Sequence, residues 1–193
     1  MAQLAALGRE ILLISVTDGT ASHPGSTLWP PAKLARTRSA ETIRGLRRLH
    51  LEHIPVVRAG FPDGNLLRYR DELVSFIEPL LRPEDVVFST WRFDGQPDHE
   101  AVGLASATAV RGSKASLVEV PIRAWHWADP AGDEIPWHRA RRLQLDAATL
   151  ARKHRAIQAH KSQLFPDPST ELGPAVPASA LARLMRPEEI YFV

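Results

Sequence analysis

The chain has 193 residues, 44% of them hydrophobic and 24% charged, which fits one globular domain of ordinary size. It contains no cysteine, so disulfides, iron–sulfur clusters and thiolate zinc sites are excluded, and any metal must be held by His, Asp, Glu and water. A formal net charge of +2, with most arginines interleaved among acids, gives little footprint for nucleic acid. The N-terminal residues lack a basic leader region, and no segment approaches the roughly 18 unbroken apolar residues of a membrane span, which predicts a soluble, cytoplasmic protein.

Ala2 to Leu7 reads as the tail of a helix ending at Gly8, and Ile11 to Val16 as a strand buried on both faces. Thr17 to Pro31 is a loop marked by Asp18-Gly19, His23-Pro24-Gly25 and Pro30-Pro31. The apolar positions Leu34, Ile43, Leu46 and Leu49 then predict a helix from about Ala32 to Leu51 with one buried and one basic face. Pro55 to Ala59 is a short strand, Pro62-Asp63-Gly64 a turn, and Arg70 to Leu81 a helix stopped by Pro83. Val86 to Thr90 is a strand, Glu100 to Val110 a helix, and Ser116 to Val120 a strand that feeds Trp125-His126-Trp127. Leu143 to Leu145 reads as a short strand, Ala147 to Leu164 as one helix, 165–177 as a Pro-rich loop, and Glu189 to Val193 as a terminal strand. The alternation predicts an α/β fold, a Rossmann-like and mostly parallel sheet with flanking helices.

The segment Gly95-Gln96-Pro97-Asp98-His99-Glu100 carries the most chemistry. It follows a strand and opens a helix, so Asp98 and His99 come to the carboxyl edge of a parallel sheet, where ligands collect. A neutral imidazole binds zinc, yet a catalytic zinc takes three protein ligands and keeps a position for water. The segment therefore reads as half of a metal site. Asp98 also reads as a cap for the helix that follows it.

Five segments together, Val16-Thr17-Asp18-Gly19, Arg38-Ser39-Ala40-Glu41, Phe61-Pro62-Asp63-Gly64, Pro97-Asp98-His99-Glu100 and Lys153 to Gln163, resemble in order and spacing the PIG-L (LmbE-like) family of zinc-dependent N-deacetylases. The resemblance implies a Rossmann-like sheet and hydrolysis of N-acetyl groups on N-acetylglucosamine-type sugars or glycoconjugates, with zinc as the cofactor. It implies that His99 matches a zinc ligand, that Gln96 and Asp98 occupy the catalytic motif, and that Arg38 and Asp63 contact polar substrate groups. His126, flanked by two tryptophans, is a candidate for a sugar subsite. Lys153, His160 and Gln163 fall on one predicted helix, where a packing or solvated face accounts for them.

The sequence departs from the family in two places. Gln96 stands where the family usually has a histidine; its amide can hydrogen-bond an oxyanion but cannot act as an acid near neutral pH. The family's His-Pro-Asp-Asp motif, which brings two metal ligands and the general base after a first strand, has no counterpart here, and His23-Pro24 is followed by Gly25 and Ser26 in place of carboxylates. We therefore expect residues 1–193 to be a single PIG-L domain, incomplete at its N-terminus, that does not retain zinc or deacetylate as written. The alternative is a non-catalytic relative that binds a sugar or a partner. Without its first strand the sheet is expected to be marginal unless Ile11 to Val16 pairs directly with Val86 to Thr90 or another segment fills the gap.

Overall fold

The computed structural model describes residues 1–129 and 132–193. In chain order the elements are α1 (Ala2–Ala6), β1 (Leu13–Ser15), α2 (Pro31–Arg48), β2 (Val56–Arg58), α3 (Arg70–Ile77), β3 (Val86–Thr90) and α4 (Pro97–Arg111). They continue with β4 (Ser116–Val120), α5 (Ala124–Trp127), β5 (Ala140–Gln144), α6 (Ala147–Ile157), α7 (Lys161–Leu164), α8 (Ala178–Leu184) and β6 (Glu188–Phe192). Two compact units result: Met1–Asp63 with Leu145–Pro187, and Gly64–Gln144 with Glu188–Val193.

In the first unit β1 and β2 form a parallel pair, with Leu13 opposite Val56 and Ser15 opposite Arg58. Pro31 sits at the first turn of α2, where its missing N–H costs nothing and its fixed φ favours the helix. Leu46, Leu51 and Ile54 make a small core on which Ala5, Ile11, Leu13 and Val56 pack. Two expectations need correction. The β1 strand is only partly buried along its three residues, so it is not the doubly covered strand that an unbroken apolar run predicts. Ile43 is 49% exposed, while Glu41 is buried at 1%, because Glu41 accepts the backbone N–H of Ser162 at 2.8 Å and its hydroxyl at 2.6 Å.

The same carboxylate accounts for a break in the predicted helix 147–164. The N–H that Ser162 gives to Glu41 is free only in the first turn of a helix, and the chain restarts at Lys161 after an N-cap at His160. Lys153 thus lies on α6, whereas His160 and Gln163 belong to the restart. Gly45, on the buried face of α2, leaves room for the His160 ring: a Cβ there would sit 3.0 Å from its Nε2.

The second unit holds a four-stranded sheet in the order β3-β4-β6-β5. β3 and β4 are parallel, joined through α4, while β6 runs antiparallel to both β4 and β5. α4 lies close on β3 because its inner face is small: Ala101, Gly103, Ala105 and Ala109 are buried, and a Cβ on Gly103 would stand 2.5 Å from the carbonyl of Thr90. Trp91, Ala124, Ile135 and Phe192 form the core, with the Trp91 and Phe192 rings 5.0 Å apart. Beside them Glu119, 1% exposed, accepts Arg92 Nε at 2.7 Å and Arg139 Nη2 at 2.9 Å. β1 and β3 belong to different sheets, so the direct pairing that would have closed the predicted gap is not formed among the described residues. β3 is an edge strand, with Val86 53% and Phe88 46% exposed.

Candidate functional site

The turn after β3 and the first turn of α4 form the site that the sequence points to. Gly95 takes a φ of +75°, a left-handed conformation that favours glycine, and the chain enters α4 through Pro97. The helix starts three residues earlier than periodicity predicts, since Pro is at home in a first turn. The cap is not Asp98. Gln96 is the N-cap, its Oε1 accepting the N–H of His99 at 2.5 Å, and Asp98 lies inside the first turn. From there the Asp98 carboxylate accepts the backbone N–H groups of Gly64 at 2.6 Å and Leu66 at 3.0 Å, which pins the 64–66 segment to α4. A residue read as a cap therefore serves as a loop anchor, and the capping contact is made by Gln96 two positions earlier.

His99 is held at both ends. The hydroxyl of Thr90 donates to its carbonyl at 2.7 Å, and its ring Nδ1 meets Asp94 Oδ2 at 2.5 Å, leaving Nε2 as the nitrogen available to a ligand on a side chain 30% exposed. Asp94 is fully buried and also accepts the N–H groups of Ile122, Arg123 and Ala124, at the start of α5. Its own carbonyl receives Trp127 Nε1–H at 2.9 Å, laying the half-exposed indole over Gly95. In the sequence Asp94 is simply the residue before Gly95. The one local signal was an acid five residues before a candidate ligand histidine; its other partners are 28 to 30 residues away.

Gln96, Asp98, His99 and His126 all belong to the second unit, His126 on α5. Arg38 and Asp63 belong to the first, where both brace the loop after β1. Asp63 accepts the Thr17 hydroxyl at 2.9 Å and the Ala21 N–H at 2.8 Å. Arg38 donates to the carbonyl of Gly19 at 2.9 Å and to the Ser22 hydroxyl at 2.7 Å, and its buried Nε has no hydrogen-bond partner among the described residues. Burial lowers the pKa of Arg38 from its ordinary value, against the pull of Asp63 and Glu41. His23, bonded through Nδ1 to the Ser22 hydroxyl, is likewise pushed down by burial and by the Arg38 charge.

Among the described residues no three His, Asp or Glu side chains come together to hold a metal ion. His99 offers one nitrogen where a catalytic zinc takes three protein ligands, so the zinc implied by the resemblance does not find a complete donor set in these residues.

The sequence matches the PIG-L family, described as GlcNAc-PI de-N-acetylase, over residues 1–110, and the chain belongs to that family. None of the curated proteins matches it. Among solved structures the chain is similar to the zinc-inhibited form of the teicoplanin deacetylase Orf2, at 16% identity over 84% of this chain and 77% of that one, with a TM-score of 0.64. It is similar to the A40926 pseudoaglycone deacetylase Dbv21 at 20% identity, over 99% and 87% of the two chains, with a TM-score of 0.66. A conserved protein from Thermus thermophilus aligns at 21% identity over 84% and 70%, with a TM-score of 0.57. At these identities the likeness establishes the mixed α/β fold, parallel strands with flanking helices. No helix among the described residues is long and apolar enough to cross a membrane.

Proposed function

We propose that the chain is a domain of the N-deacetylase type, directed at the N-acetyl group of an N-acetylglucosamine-type sugar or glycoconjugate, and that these 193 residues do not hydrolyse that amide by themselves. Support for the substrate class comes from the family to which the chain belongs. The incapacity rests on one observation: His99 is a buttressed imidazole with a single nitrogen free, and no further ligands gather into a metal site among the described residues. Amide hydrolysis in this family type draws its nucleophile and Lewis acid from the metal. Absence of a positioned general base removes roughly another 10²–10⁴-fold. On this reading Gln96 and Asp98 shape the catalytic edge, His99 is the metal-facing imidazole and His126 serves the substrate, all within the second unit, while Arg38 and Asp63 hold the loop after β1 in the first.

The test measures bound zinc per chain by mass spectrometry of the metal, and acetate released from an N-acetylglucosaminyl substrate with zinc in excess. Sub-stoichiometric zinc, and acetate release no greater than that of His99→Ala, are expected. One zinc per chain together with release that His99→Ala abolishes would overturn the proposal.

A further inference from the structure

We propose that Asp94 is a positioning residue that fixes His99 in the tautomer protonated on Nδ1, so that Nε2 is kept as a hydrogen-free acceptor. The inference rests on the reading of His99 as the ligand-facing imidazole, and its argument is the hydrogen-bond count at one buried carboxylate. Oδ1 accepts the N–H of Ile122 at 2.8 Å and of Ala124 at 3.0 Å, and Oδ2 accepts the N–H of Arg123 at 2.7 Å. All three of these partners are donors, and an ionised carboxylate only accepts. With the carboxylate accepting from all three backbone groups, the remaining contact, between Oδ2 and His99 Nδ1 at 2.5 Å, is completed by a proton on Nδ1. A neutral imidazole with Nδ1–H carries its lone pair on Nε2, the form that binds a metal or accepts a hydrogen bond from a ligand.

The carboxylate itself cannot drift, because Asp94 is 0% exposed and four contacts converge on it. Its carbonyl adds a fifth tie, to Trp127 Nε1. One residue thus sets the tautomer of His99 on α4 and anchors the start of α5, which carries His126 and Trp127. Burial at the end of a strand makes Asp94 a support for a neighbouring group rather than a group that meets the ligand.

Long-range ¹H–¹⁵N NMR of the histidine side chains at pH 8 reads the tautomer directly in the full chain. The expected wild-type result is a single His99 species with the proton on Nδ1 and a bare Nε2. In Asp94→Asn an amide NH₂ replaces Oδ2, donates to Nδ1 and is expected to move the ring proton to Nε2, a shift that a merely structural role for Asp94 would not produce. Should that variant fail to fold, the wild-type spectrum still decides. A wild-type proton on Nε2 or on both nitrogens, or a folded Asp94→Asn chain with an unchanged tautomer, overturns the inference. The spectrum is independent of zinc content and acetate release, so failure here leaves the functional reading standing, and failure there leaves this one.

Discussion

Replacing Glu119 with Gln is expected to destabilise the second unit by about 3 kcal/mol. Its carboxylate is 1% exposed and receives Arg92 Nε at 2.7 Å, Arg92 Nη2 at 2.9 Å, the Arg92 N–H at 3.2 Å and Arg139 Nη2 at 2.9 Å. Removing one partner of a buried ion pair costs roughly 3–5 kcal/mol. The low end applies here because the Arg92 and Arg139 side chains are 25% and 32% exposed and recover some water when the charge is lost. For a chain of this length that corresponds to a fall in Tm of about 6–12 °C. Burial raises the Glu119 carboxyl, but the hydrogen bonds from Arg92 and Arg139 outweigh it and hold the pKa below its ordinary value of 4.5. The unfolded carboxyl then takes up its proton first, so the stabilisation is complete above about pH 4.5 and is lost as pH falls through the lower folded value.

Urea unfolding followed by tryptophan fluorescence measures both effects, since Trp91, Trp125, Trp127 and Trp137 all lie in the second unit. Wild-type and Glu119→Gln midpoints should stand apart at pH 7 and converge on acidification. A difference below about 0.5 kcal/mol at pH 7, the range of ordinary surface changes, would show that the contacts of Glu119 with Arg92 and Arg139 do not hold the unit together. So would a difference that fails to narrow as the solution becomes acid.

Gly95→Ala places a Cβ 2.6 Å from Trp127 Nε1 at a φ of +75°, and should cost about 1–3 kcal/mol while releasing the indole from the Asp94 carbonyl. Urea midpoints and a red-shifted Trp127 emission check it; unchanged values of both would show that the indole is not seated on Gly95. His160 has its pKa pushed below 6.5 by burial and by Arg38 and Arg44, with Glu41 opposing. The unfolded imidazole therefore protonates first on acidification, and its contribution, intact above about pH 6.5, declines as pH falls towards the folded value. His160→Gln should flatten the stability profile between about pH 7 and pH 5, and parallel profiles for the two proteins would refute the assignment.

Much of the fold was legible because it depends on near neighbours in sequence. The β-branched run Val86 to Thr90 and the helical stretch from Glu100 were enough to place a strand and a helix on either side of His99, three residues short of the true helix start at Pro97. Likewise the prolines and the apolar spacing of Leu34 and Leu46 marked α2 to within a few residues. The elements misread are those in which a distant group overrides local pattern. A helix predicted from Ala147 to Leu164 is interrupted because buried Glu41, 121 residues away, takes the N–H of Ser162. Ile43 yields the inner face of α2 to that same glutamate.

For the candidate site the division is similar. The residues alone place His99 where a strand gives way to a helix, and they leave no cysteine to join a metal site. Folding makes Gln96 the cap of α4 while Asp98 anchors residues 64–66, and it brings β6 between β4 and β5 in the antiparallel sense. Tertiary structure also turned Asp94 from a turn residue into the support of His99. The reason is physical: a turn needs only the four residues that make it, whereas a buried carboxylate must find donors from wherever the folded chain brings them, and for Asp94 three of those donors come from residues 122 to 124.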